Sequence, residues 1–217
     1  HENLVIPEVI AYKNIKNIEI LLLEWIDMHN FDQKKLGKGL GELHLKSAES
    51  NPKMFGFPVE GFIGTTDQKK GMEDNWIDCF LNLRIIPQLL ILKSTTLDKE
   101  IINKVKEKIK SELLNHKPIN ALVHGDLWSG NAGMDKSGKG VIFDPASWWA
   151  DNEVDIAMTK LFGGFRKEFY EEYHRVFPIK NGFEKRIIIY NFYHILNHAN
   201  MFGGGYLKQV KDYVKAI

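Results

Sequence analysis

Leu122-Val123-His124-Gly125-Asp126-Leu127-Trp128-Ser129-Gly130-Asn131, followed by Val141-Ile142-Phe143-Asp144, is the stretch on which the reading of this chain turns. An apolar run enters His-x-Asp, Asn131 follows five residues after Asp126, and a second apolar run ends in Asp144. The pattern predicts short strands around a polar loop. Asp and Asn are common in turns for conformational reasons alone, and His-x-Asp by itself would say little. The spaced set, with apolar strands on both sides and a second Asp at a strand end, says much more.

Those residue types at that spacing suit kinase-type phosphoryl transfer. A nucleoside triphosphate with its Mg²⁺ ions needs one carboxylate to orient the attacking hydroxyl and hard oxygen ligands to hold the metal. Asp126 fits the first role; Asn131 and Asp144 fit the second. The plainer reading of Asn131 is a loop-stabilising amide. His124 reads as a hydrogen-bonding brace for the loop rather than a proton carrier. Gly125 and Gly130 permit backbone angles that a Cβ would strain.

The 217 residues are 44% hydrophobic and 26% charged, with a net charge of +1, which describes an ordinary globular protein of one or two domains. That balance gives no electrostatic case for a nucleic acid or an anionic membrane as partner. Residues 99–110 alternate Lys with Ile101, Ile102, Val105 and Ile109, the pattern of an amphipathic helix with a solvated face. The single cysteine, Cys79, lies among Trp76, Ile77 and Phe80 as a small core residue, which suits a reducing, cytoplasmic setting. No apolar run is long enough for a transmembrane helix, and no signal peptide is visible.

Residues 4–10 and 18–26 read as strands around a polar turn at 13–17, the second continuously apolar at 20–23 and so expected at the centre of a sheet. A connector follows at 24–28. Residues 33–47 read as a helix whose Gly37, Gly39 and Gly41 suggest close packing, and 51–68 as an ordered loop. Asp74 is a candidate cap for a helix to about 92, bent at Pro87, and Thr96 or Asp98 for the next. After 149 the chain reads as four helices: 153–162, 166–177, 183–201 and 206–216. A short β portion followed by a helical portion carrying an acidic hairpin is the order of a two-lobed kinase.

The string His124-Gly125-Asp126-Leu127-Trp128-Ser129-Gly130-Asn131 resembles the catalytic loop of the fructosamine kinase (ketosamine 3-kinase) family, within the aminoglycoside-phosphotransferase-like and choline-kinase-like group. Phe55-Gly56-Phe57, Ile63-Gly64-Thr65-Thr66, Asn75-Trp76 and Arg84…Pro87-Gln88-Leu89 resemble the stretch before the loop. Asp144-Pro145-Ala146, Glu153-x-Asp155, Leu161-Phe162-Gly163-Gly164-Phe165 and Leu196-Asn197-His198 resemble later stretches. The resemblance implies an α+β, protein-kinase-like two-lobed fold. Residues 1–29 would be a remnant of the N-terminal sheet lobe plus the hinge, and 30–217 the mainly helical catalytic lobe, with most of the sheet lobe absent from this chain.

It also implies ATP and Mg²⁺ as cofactors and a ketosamine, small or protein-bound, as substrate, phosphorylated in a deglycation reaction. Asp126 would be the catalytic carboxylate and Asn131 and Asp144 the metal ligands. Glu24 and Ile26 would offer backbone groups to adenine at the hinge. Trp128 would meet the sugar, whose apolar C–H faces can rest on an indole, and packing is the competing role. His194, Asn197 and His198 share a helix face by i, i+3, i+4 spacing and suit a polar substrate pocket, or a satisfied structural cluster. Glu153 and Asp155 would brace the loop, although acidic residues also favour a helix N-terminus for its dipole.

Departures matter too. Nothing in residues 1–12 can serve as the phosphate-binding Lys, its Glu partner or the Gly-rich loop, so residues 1–217 alone are expected to bind ATP poorly. Asp144-Pro145 is not the Asp-Phe-Gly of protein kinases. The alternatives are another small-molecule kinase, acting on an aminoglycoside, choline or homoserine, or a non-catalytic pseudokinase or binding module. The sequence leaves the oligomeric state open.

Overall fold

The computed structural model describes residues 2–16, 18–29, 32–92 and 98–217. The chain opens with β1 (Leu4–Val5), β2 (Val9–Ile15), β3 (Ile18–Leu23) and α1 (Lys34–Glu49). Short strands β4 (Phe55–Phe57), β5 (Gly61–Ile63), β6 (Thr66–Gln68) and β7 (Gly71–Glu73) lead to α2 (Trp76–Phe80), a π-helical turn at Leu81–Ile85, α3 (Ile86–Leu92) and α4 (Lys99–Leu113). Then come β8 (Asn120–Val123), β9 (Ala132–Met134), β10 (Gly140–Ile142) and β11 (Trp148–Asp151). The chain closes with α5 (Glu153–Leu161), α6 (Lys167–Val176), α7 (Phe183–Phe202) and α8 (Gly205–Ala216).

Two sheets deliver the loop residues. One has the order β7-β4-β11-β8, and the other is β1-β10-β9. Within the second, β1 runs parallel to β10, and β10 is antiparallel to β9. Strand β8 ends at Val123 beside Trp148 of β11, so residues 124–131 leave from a fixed strand end. The β9–β10 hairpin then returns the chain to Asp144, and Phe143 N–H bonds the Asn131 carbonyl at 3.1 Å. Loop and second Asp are thus stapled together by backbone.

The helices pack for legible reasons. A Cβ at Gly37 would stand 2.1 Å from the Phe169 carbonyl oxygen and one at Gly41 3.0 Å from Val176, so these glycines let α1 lie directly on α6. On α4, Val105, Ile109 and Leu113 are buried at i, i+4, i+8 spacing, about 1.5–3 kcal/mol each. Helix α7 is buried on nearly every side from Ile189 to Asn197. Its Tyr190 joins Trp76, Phe80 and Trp148 in an aromatic cluster beneath the first sheet, and Cys79 is buried beside them.

Several expectations need correction. The strand expected at 4–10 is divided at Pro7, which has no N–H for a ladder; β1 joins β10, and the hairpin is formed by β2 and β3. The apolar run at 20–23 is not central: all six residues of β3 are exposed, and β2 is its only strand partner among the described residues. An unbroken apolar strand signals two faces suited to burial but does not say what covers them. The expected loop at 51–68 contains β4, β5 and β6. Asn75, not Asp74, caps α2 by accepting N–H bonds from Ile77 and Asp78. The irregularity near Pro87 is a π turn just before it, with Ile86 N–H reaching the Leu81 carbonyl. Asp98 caps α4 through Ile101 N–H, while Thr96, like Asn17 of the expected turn, lies outside the described residues.

Candidate active site

Asp126 sits where the chain leaves β8, its side chain about one-fifth exposed. Asn131 turns back on it. Its Nδ2 donates to the Asp126 carbonyl at 3.0 Å, and at 3.4 Å to both the Asp126 carboxylate and the Asp144 carbonyl. With the amide nitrogen engaged, Asn131 has Oδ1 left to offer, and Asp144 is solvent-exposed at φ +55°. Burial, then Asp144, then Asp155 push Asp126 up to about 6. A carboxyl so placed lacks a counter-ion and gains from a cation nearby. An amide oxygen and two carboxylates carried by one loop and its hairpin are the hard-oxygen donor set that Mg²⁺ takes, so the residue types fit the metal.

Beneath the loop lies a hydrogen-bonded brace. His124 donates from Nε2 to the Phe143 carbonyl at 2.9 Å and accepts the Asp126 N–H at Nδ1, 3.3 Å; burial lowers its pKa. Asp155, wholly buried, accepts the backbone N–H groups of His124 at 2.7 Å and Gly125 at 2.8 Å. Burial opposes its ionisation, but the bonds from His44 and the loop outweigh it and hold Asp155 below the usual range. His44 Nε2 lies 3.1 Å from Asp155, and its Nδ1 2.8 Å from the Tyr173 hydroxyl, which Asn152 Nδ2 also meets at 2.9 Å. Ser47, one turn along α1, takes the Leu122 N–H at 3.0 Å.

Glu153 does not share in this brace, contrary to expectation. Its carboxylate faces Arg186, at 2.6 and 2.7 Å, because α5 turns successive side chains to different neighbours. His116 and Tyr190 each lie 2.6 Å from Asp151 on the same side. The donor atoms of His116, Asp151 and Glu153 approach within 4.8 Å of one another, but Arg186 and Tyr190 already hold the carboxylates.

The three residues predicted on one face of α7 separate. His194 is buried beneath Asp126, Nδ1 to Oδ1 3.9 Å, with no partner at either ring nitrogen; burial and then His198 push it down to about 3. Asn197 is buried and bridges Gln88 and the Ile63 carbonyl, which removes its amide from the opening. His198 is half-buried, with Nδ1 bonded to the His194 carbonyl at 2.8 Å and its ring 4.9 Å from Phe162. A helix surrounded by protein gives neighbouring positions different surroundings, so shared spacing did not mean a shared pocket. Trp128 is 39% exposed, edge to face with Phe162. Glu24 and Ile26 line a cleft of about 460 Å³ with Pro7, Leu23, Met28 and Phe143, adjoining Asp144 in sequence.

The sequence model of the fructosamine kinase family matches residues 1–217. This chain belongs to the fructosamine kinase family. It is 39% identical over 213 residues to the "Probable ketoamine kinase" of Synechocystis sp., covering 97% of this chain and 71% of that one. It is 33% identical over 213 residues to the ketosamine-3-kinase of Mus musculus, covering 86% and 69%. Its structure superposes on a Haemophilus somnus 129PT crystal structure of the fructosamine-3-kinase type with a TM-score of 0.87 at 25% identity, over 99% of this chain and 73% of that chain. The choline kinase of Streptococcus pneumoniae matches with a TM-score of 0.58 at 15% identity, over 90% and 69%, which shows the shared kinase-like fold. As a fructosamine kinase family member the chain is an ATP-dependent phosphotransferase.

Sequence reasoning missed His44, Ser47 and Tyr173. The Gly41–His44 region read only as a helix face, and no local spacing ties it to Asp155. Gly125, by contrast, is required where it stands: φ is +82°, and a Cβ there would lie 2.2 Å from the Ala146 carbonyl oxygen. Gly125→Ala should cost at least about 2 kcal/mol, read as a lower melting temperature, since it combines left-handed strain with a backbone clash. An unchanged melting temperature would mean the loop relaxes freely.

Proposed function

We propose that this chain transfers the γ-phosphate of ATP to a hydroxyl of a ketosamine, the sugar adduct of an amine. Residues 1–29 would supply the hinge and part of a sheet lobe, and 30–217 the catalytic lobe. The observation that carries the substrate class is the loop filling. The Trp128 indole, two residues past Asp126, lies over Gly130, where a Cβ would meet the ring at 2.3 Å, and it remains open to a sugar face. The relative from Mus musculus carries the same substrate class in its name.

In this reading Asp126 accepts a hydrogen bond from the acceptor hydroxyl and takes its proton as the hydroxyl oxygen bonds to phosphorus and the bond to the β-phosphate breaks. A carboxylate pushed upward is a stronger base than an ordinary Asp, which suits that task. Mg²⁺ held by Asn131 Oδ1 and the Asp144 carboxylate would neutralise charge on the phosphates. Glu24 and Ile26 would present backbone groups to adenine. His124 and Asp155 keep Asp126 in place. A cytoplasmic setting accords with this chemistry, and no helix among the described residues is long and apolar enough to cross a membrane.

The test is Mg²⁺-ATP turnover by the full-length gene product on fructosyl-lysine and ribulosyl-lysine beside kanamycin and choline, with Asp126→Ala as control. Turnover of a ketosamine that collapses in Asp126→Ala is expected. Preference for kanamycin or choline would replace the substrate class, ATP binding with no turnover would point to a different acceptor, and neither binding nor turnover would leave a pseudokinase.

A further inference from the structure

We propose that the aromatic rings running outward from Trp128 form the subsite for the amine side of the acceptor: a protonated secondary amine and the alkyl stem attached to it. The proposal rests on the ketosamine reading above. Five rings from separate parts of the chain make one continuous path. Trp128, in the catalytic loop, meets Phe162 at 6.4 Å between ring centroids, and Phe162, just past α5, meets His198 at 4.9 Å. His198 of α7 meets Phe202 at 5.7 Å and Tyr206 of α8 at 5.0 Å, and those two stand 6.1 Å apart. Trp128 and Phe162 are 39% exposed and Phe202 is 62% exposed.

Three features make this a built surface rather than scattered apolar residues. The inner end is fixed, because only glycine at 130 lets the indole lie where it does. The middle is fixed, because the His198 ring is tied through Nδ1 to the His194 carbonyl. The outer end carries two large rings beside the break between α7 and α8 at Gly203 and Gly204, with Phe202 left mostly in water. Contiguous exposed aromatic surface of this kind marks a binding groove more often than chance packing.

The path also begins at the right atom. In a ketosamine that is phosphorylated on carbon 3, the amine on carbon 1 lies two carbon–carbon bonds from the reacting carbon. With the hydroxyl at Asp126, the amine lies only a few bonds from the loop that carries Trp128 two residues later, and in the proposed subsite it runs along the wall that begins there. Such an amine carries a proton near neutral pH. Aromatic faces attract a cation through their quadrupoles, and a methylene stem packs well on the same faces. Phe162, Phe202 and Tyr206 are therefore specificity-determining residues for the group borne by the sugar.

The experiment compares kcat/KM of the full-length protein for two acceptors. One is fructose joined to the ε-amine of Nα-acetyl-lysine amide, whose carboxyl is masked; the other is fructose joined to methylamine, which has the same sugar and charge but no stem. The wild type should prefer the lysine adduct by roughly tenfold or more, and Phe202→Leu/Tyr206→Leu should shrink that preference about fivefold, chiefly through KM. Leucine keeps bulk and removes the aromatic face. An equal preference in wild type and variant, or no preference in the wild type, overturns the proposal. Should the double variant not fold, Phe202→Leu alone carries the same test, because that ring is mostly solvated. Failure of the wild type to turn over either adduct would instead sink the ketosamine reading, and this subsite with it.

Discussion

Asp126→Asn is expected to lower turnover by about 10²–10⁴-fold while making the protein more stable at neutral pH, a combination that a merely misfolded variant does not produce. The catalytic half follows from position: among the described residues, Asp126 is the carboxylate that the loop presents to the Asn131 amide, with Asp144 close by. The stability half follows from linkage. Asp126 titrates at about 6 in the folded chain against 3.8 for the ordinary group, because it is buried first and faces Asp144 and Asp155 second. A carboxyl raised on folding favours the folded state most below pH 3.8, and that contribution is lost as pH rises through about 6. At pH 7.5, without metal, the ionised group therefore costs the fold about 2 kcal/mol, after discounting the part that water still screens. Asn carries no such cost. The variant should melt roughly 4–8 °C above the wild type at pH 7.5, and the gap should nearly vanish at pH 4. Equal melting temperatures at both pH values would show that Asp126 is not destabilised in the free enzyme. Mg²⁺ added at neutral pH should narrow the gap, since a cation at Asn131 and Asp144 relieves the repulsion that part of the shift reports.

What could be read in the sequence was whatever the chain writes locally. Asp126, Asn131 and Asp144 announce themselves because one loop and one hairpin carry all three, and the backbone bond from Phe143 to Asn131 closes that unit. The amphipathic face of α4 and the glycines of α1 are likewise patterns within a single helix. Pairings between distant segments left no such mark. His44 meets Asp155 across 111 positions and Tyr173 across 129, and nothing about a histidine inside a helix distinguishes a brace from a solvated side chain. Glu153 and Asp155 look equivalent in the sequence. Only the packing of α5 sends one to Arg186 and the other to the loop. The same limit explains β3, whose apolar run promised burial and whose residues are exposed, and α7, where burial on nearly all sides gave His194, Asn197 and His198 three different environments.

The brace beneath the loop supplies the largest expected stability effect. Asp155→Ala would strand three donors: the backbone N–H groups of His124 and Gly125 and the His44 ring, all in an interior closed to water. Each buried donor left without a partner costs about 1–3 kcal/mol, and removing one member of a buried charged network typically costs about 3–5 kcal/mol in all. For a chain of this size that is a fall of roughly 6–20 °C in melting temperature. The damage also has a direction. Asn152 donates to the Tyr173 oxygen, Tyr173 donates to His44 Nδ1, and His44 Nε2 donates to Asp155, so the line ends on the carboxylate, and the His44 Nε2–H loses its acceptor when Asp155 is removed. Without that acceptor, the loop loses its anchor just before Asp126, and a displacement near 1 Å there is enough to lower kcat about 10²-fold. Tyr173→Phe interrupts the same line farther from the loop and should cost less in both stability and kcat. The order of the two variants is therefore the discriminating result. If Tyr173→Phe proved as damaging to kcat as Asp155→Ala at equal folded fraction, the loop would be governed by the packing of α6 on α1 and not by the carboxylate that receives its N–H groups.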